Sequence, residues 1–139
     1  MVGSIPSFAL AVGLLVLSAP VASAKAQQRD ATYSSVCRHP DSGDLLGLEV
    51  SFVSDAGSGY ALVQRYEGAA IAPVLMQVKQ RGRDLVLMSG ATDSIALRQD
   101  GKTLRLTYLD GQLSAAGSSS ETLIPSLAVW QGKRVAACR

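Results

Sequence analysis

Apolar and polar positions alternate with a period of two along most of the chain beyond residue 45. Within residues 46–52, Leu46, Leu48, Val50 and Phe52 share one face and Gly47, Glu49 and Ser51 the other, which predicts a strand buried on one side. Residues 60–66 repeat the pattern, with Tyr60, Leu62 and Tyr66 on one face and Ala61, Val63 and Arg65 on the other. Segments 74–79 and 85–88 are rich in Val, Leu and Met, too short for an ordinary helix, and flank a predicted hairpin loop at 80–84. Asp100-Gly101 predicts a further tight hairpin, because both residues accept positive φ. With those two residues as the loop, Leu97 pairs with Leu104 and Ile95 with Leu106, so apolar residues meet across the strands. Two last strands are predicted at 126–131 and 134–138, around Gly132-Lys133.

Between these runs lie segments of turn composition, at 39–44, 55–59 and 68–73. Residues 25–35 read as a loose polar arm, and the Gly/Ser-rich stretch 115–121 as a flexible loop. No helical period outlasts a turn or two. Roughly seven to nine short, evenly spaced strands predict an all-β fold, a small antiparallel β-barrel or barrel-like sandwich.

Composition changes the picture first at the start of the chain. Residues 5–17 are almost entirely apolar, and Ala22-Ser23-Ala24 provides the small-x-small pattern of a signal-peptidase site. Residues 1–24 are therefore read as a signal peptide and 25–139 as a single β domain, periplasmic or secreted, with no membrane span once the signal is removed. All 13 Lys+Arg and all 11 Asp+Glu follow Ala24, giving a net charge of +2, too mild to imply nucleic acid or an anionic membrane as partner. Cys37 and Cys138 read as a disulfide closing the domain. The alternative is a metal or redox site using Cys37, His39 and Cys138. It lacks the fourth ligand of a structural zinc site and any C-x-x-C.

Hydrolase machinery is not visible: G-x-S-x-G is absent, and Gly57-Ser58-Gly59 falls in a turn rather than at a strand-to-helix elbow. The aspartates sit at predicted loops and strand ends, and Glu49 and Glu67 on or beside polar strand faces, where solubility explains them. Neither catalysis nor a cofactor is expected. Lys79, Arg81 and Arg83 gather at one predicted hairpin and Lys133 and Arg134 at another. They read as solvated turn charges, or as docking points for an acidic partner or an anionic polymer. Tyr60 and Tyr108 fall on apolar faces and are expected in the core, with Trp130 the exception.

The segments Tyr33-Ser34-Ser35-Val36-Cys37, Ser89-Gly90-Ala91-Thr92-Asp93, Trp130-Gln131-Gly132-Lys133 and Cys138-Arg139 give the chain a resemblance to small exported inhibitors of C-type lysozyme. That family opens on a Tyr-x-Cys-like start, carries a Ser-Gly-x-x-Tyr inhibitory loop and often closes on a terminal Cys. Here the Tyr–Cys spacing is wider, Asp93 stands at the loop's Tyr position, and the charge of +2 is poorly matched to a cationic target. The resemblance implies a β-barrel, an inhibitory loop containing Ser89, Gly90 and Asp93, and an extracellular or periplasmic protein partner such as a lysozyme. The function expected is a non-catalytic exported binding or inhibitor module. The alternative is a structural or envelope-maintenance protein without a discrete ligand. The sequence leaves the oligomeric state open.

Overall fold

The computed structural model describes residues 31–53, 59–111 and 119–139. The predicted signal peptide and most of the predicted 25–35 arm, 55–59 turn and 115–121 loop lie outside them. The described chain is nearly all-β: β1 Thr32–Ser34, β2 Cys37–Arg38, β3 Leu45–Val53, β4 Tyr60–Ala70, β5 Val74–Arg81, β6 Asp84–Ser89, β7 Thr92–Asp100, β8 Thr103–Tyr108 and β9 Ser120–Ser126. Strands β3 to β9 pair antiparallel in chain order. β1 then closes the sheet by pairing with both β9 and β3, which makes an eight-stranded antiparallel barrel with β2 as an additional strand on β3.

The alternation fills the barrel. Leu48, Val50, Phe52, Ala61, Val63, Met76, Leu87, Ile95, Leu97, Leu104, Leu106 and Leu123 form one core, and eight strands enclose a space that such side chains can fill. Bulk is complementary across strands, as where Phe52 faces Ala61. That pairing puts Ala61, Val63 and Arg65 inside and turns Tyr60 outward, 40% exposed, so the expected core role of Tyr60 is corrected. Tyr108 does pack against the core.

Further expectations are corrected. The arm at 25–35 contains β1, which seals the barrel. The Gly/Ser stretch runs into β9, because Leu123 supplies an inward apolar anchor beyond it. The two last strands are instead a 3-10 turn at Val129–Gln131 and an irregular tail touching β2 by one bridge, Arg38 to Ala137. The β7–β8 hairpin is also set differently: Asp100 pairs with Thr103 and Leu97 with Leu106, so Gly101-Lys102 is the loop. Gly101 has φ +58°, and Gly82 and Gly90 occupy the same first loop position in the two preceding hairpins with φ +61° and +60°. A glycine there costs nothing sterically at positive φ, which sets the register of three consecutive hairpins.

The tail is pinned by the Cys37–Cys138 disulfide, which disposes of the metal or redox reading of those thiols. It passes over the outer surface of β1 and β3 as a strap. Beneath it Glu49 points away from the barrel yet is only 2% exposed. Its carboxylate accepts hydrogen bonds from the Tyr66 hydroxyl at 3.1 Å and from the Val129 N–H at 3.0 Å. Lys133 Nζ donates to Ser34 Oγ at 2.8 Å. The reading of Glu49 as a solvated surface carboxylate is therefore also corrected. Among the described residues no buried side-chain polar atom lacks a partner, as a buried charge requires.

Candidate functional site at the open end of the barrel

Strand direction sorts the connections between the two barrel ends. One end carries the β4–β5 link, the β6–β7 turn, and the segment between β8 and β9; the other carries the β3–β4, β5–β6 and β7–β8 connections. At the first end the aliphatic filling stops short. A cavity of about 270 Å³ opens there, floored by Leu48, Val63, Met76 and Ile95 and edged by Ile71, Ala72, Val74, Arg65, Ser89 and Asp110. The floor residues are buried, whereas Ile71, Ala72, Val74 and Ser89 are exposed at the rim.

The inward positions next to this opening are polar. Arg65 follows Ala61 and Val63 on the inner face of β4 and forms an ion pair with Glu67. Glu121 follows Leu123 on the inner face of β9. Its carboxylate accepts hydrogen bonds from Ser35 Oγ at 2.7 Å and from the Tyr108 hydroxyl. Burial raises the Tyr108 phenol well above its ordinary range, the Glu121 hydrogen bond and charge add to this, and the nearby Arg65 guanidinium opposes it. Arg65, Glu67, Tyr108, Glu121 and Ser35 are thus one polar cluster where the core ends. With Asp110 on the rim, carboxylates outnumber cations around the opening, so the electrostatic environment is acidic.

Two of the three residues of the expected inhibitory loop stand at this opening: Ser89 lines the cavity and Gly90 begins the exposed β6–β7 turn. Asp93 is separate, paired with Arg81 at 2.8 Å on the outer surface. His39 Nδ1 accepts from the backbone N–H groups of Asp41 and Ser42 at 3.3 Å and closes a turn. Ser34 and Lys133 have the spacing of a serine–lysine nucleophile pair, but Ser34 is 1% exposed beneath the strap, out of reach of a substrate. Among the described residues no three His, Cys, Asp or Glu side chains converge as metal ligands, and no helix is long and apolar enough to cross a membrane.

Sequence reasoning missed Arg65, Tyr108 and Glu121 as a group. The usable signal was a polar residue continuing an inward apolar series, in Ala61-x-Val63-x-Arg65 and reversed in Glu121-x-Leu123. Comparisons with protein-family models, with curated proteins and with solved structures returned no match.

Proposed function

We propose that the protein is a non-catalytic exported binding module whose working surface is the open end of the barrel. The observation that carries this reading is the cavity itself: an apolar floor beneath an acidic rim, next to a packed aliphatic core. Small-molecule sites have this make-up, apolar walls with a few placed polar groups. At about 270 Å³ the space suits one small apolar group, such as a single side chain of a protein partner. The disulfide fits an oxidising compartment such as the periplasm or the medium.

The sharper form of the proposal is an inhibitor of a cationic extracellular or periplasmic protein such as a lysozyme. Its support is local charge. The chain's net charge of +2 opposes such a partner, yet the opening is acidic and the exposed Ser89-Gly90 turn stands beside it. Asp93, already paired with Arg81, contributes least.

A lysozyme activity assay with the oxidised protein and a Ser89→Ala/Gly90→Val variant tests this form. Inhibition by the parent protein at micromolar concentration that is lost in the variant supports it. No inhibition by the parent ends the lysozyme reading.

A further inference from the structure

The net charge is carried on one side of the barrel. Strands β5 to β8 and their turns hold Lys79, Arg81, Arg83, Arg98, Lys102 and Arg105 against Asp84, Asp93 and Asp100. That local excess of three is larger than the excess of two for the whole chain, so the remainder is slightly acidic. The arrangement follows from register. Arg81, Asp84, Arg98, Arg105 and Thr122 are successive cross-strand partners in one row running from β5 to β9. Leu85, Leu97, Leu104 and Leu123 beside them point inward, so this row points outward.

Within the row Arg98 stands directly opposite Arg105, an arrangement that costs stability. Asp84 holds Arg98 through two hydrogen bonds, 2.7 Å and 2.9 Å. Neither Arg105 nor Lys79, one row away on the same face, pairs with a carboxylate among the described residues. Both side chains are exposed. They stand on β8 and β5, three strand spacings of about 4.8 Å apart, and between them Arg81 is held by Asp93 and Arg98 by Asp84.

We propose that the outward face of β5 to β8 is a second binding surface, for a linear anionic polysaccharide. Lys79, Arg83, Lys102 and Arg105, exposed and without a carboxylate partner among the described residues, spread over this face and fit a chain that carries carboxylate or sulfate groups at intervals. Thr107 and Thr122, outward on the same face, offer hydroxyls to its sugars. A bilayer surface is a poorer match, because among the outward positions of β5 to β8 Leu75 alone is an exposed large apolar side chain, too little to insert. Single-stranded nucleic acid is poorer too, since the face has no aromatic ring for base stacking. The rows lie toward the Gly82 and Gly101 turns, at the end opposite the cavity, so a polymer held here leaves the opening free.

The test is retention of the oxidised protein on immobilised polygalacturonate and dextran sulfate, with neutral dextran and phosphatidylglycerol vesicles alongside. Binding is expected to the two anionic polymers at about 50 mM salt and to be lost near 500 mM, where screening is short-ranged. Arg105→Glu should weaken it at least about tenfold by reversing one charge in the row. The same substitution sets a carboxylate opposite Arg98, so the melting temperature should stay level or rise. Lys79→Gln, at an exposed position, should weaken retention several-fold with the fold unaltered. No retention of the parent protein, retention unchanged in both variants, or stronger binding to the vesicles than to the polymers overturns the proposal.

Discussion

The two halves of the barrel interior are built from the same strands and differ in what stands at the inward positions. Toward the Gly82 and Gly101 turns the inner face is aliphatic, with Leu97, Leu104, Leu106 and Leu123 each no more than 1% exposed, up to Gln80 and Gln99, whose side-chain amides donate to carbonyls of their own hairpin turns. Toward the β6–β7 turn the same inward series ends in Arg65, Tyr108 and Glu121, and the filling gives way to a cavity. Tight aliphatic packing supplies stability, and polar groups brought inside have to be held by one another. In the proposed binding role, the paired polar residues at the point where the packing opens would orient a bound group. The strap shows the contrast from outside: Glu49 and Lys133 lie under or on it, each held by a hydrogen-bond partner.

The largest expected effect comes from releasing the strap. Replacing Cys37 and Cys138 by serine removes a link between residues 101 apart and should cost about 2–5 kcal/mol, measured by chemical denaturation. Substitutions at the rim of the opening should cost less, since the core is not closed there.

Next comes Glu49→Ala. It strands the Tyr66 hydroxyl and the Val129 N–H under the strap and should cost roughly 2–4 kcal/mol. Burial, helped by the Glu49 charge and hydrogen bond, pushes the Tyr66 phenol up to about 12. The neutral phenol is favoured in the folded state, so Tyr66 contributes stability that is intact below its ordinary value near 10 and is lost as pH rises toward about 12. Lys133 is displaced downward by burial, with Glu49 opposing this, and its share therefore grows as pH rises through the ordinary lysine range. Denaturation midpoints of the parent and Tyr66→Phe proteins between pH 9 and pH 12, about the window set by Tyr66, should converge as pH rises.

Smaller still is Gly101→Val, which forces a β-branched residue to φ +58° and should cost on the order of 1 kcal/mol or more. An unchanged melting temperature would contradict the observed loop.

The sequence disclosed the class of the fold, because period-two alternation was clear in β3, β4 and β7. It did not disclose the β7–β8 register. Moving Leu97 from Leu104 to Leu106 shifts the pairing by two residues, so every side chain keeps its face and apolar matching cannot choose. The choice is made by turn geometry, in the glycine that opens each of three hairpins. β1 was hidden because Thr32 and Ser34 are polar outward residues buried against groups distant in the chain, Ser51 for Thr32 and Lys133 of the strap for Ser34, and Glu49 was misread because the strap covers it. The site was half visible. Ser89 and Gly90 stood out as a motif, whereas Arg65 and Glu121 gain meaning only when eight strands bring them to one opening.

A binding role for the open end requires that it accept an apolar group, and a plug at its rim tests that most directly. Val74 edges the cavity and is 52% exposed, so Val74→Trp should fill the opening with little effect on the melting temperature. Calorimetric titration with indole, a neutral apolar probe of side-chain size, reads the result. Saturable binding to the parent protein that falls at least about tenfold in Val74→Trp, at equal thermal stability, is the predicted outcome, since a filled cavity offers no apolar surface to cover. No saturable binding to the parent protein, or equal binding to both, would contradict a ligand-accepting barrel end.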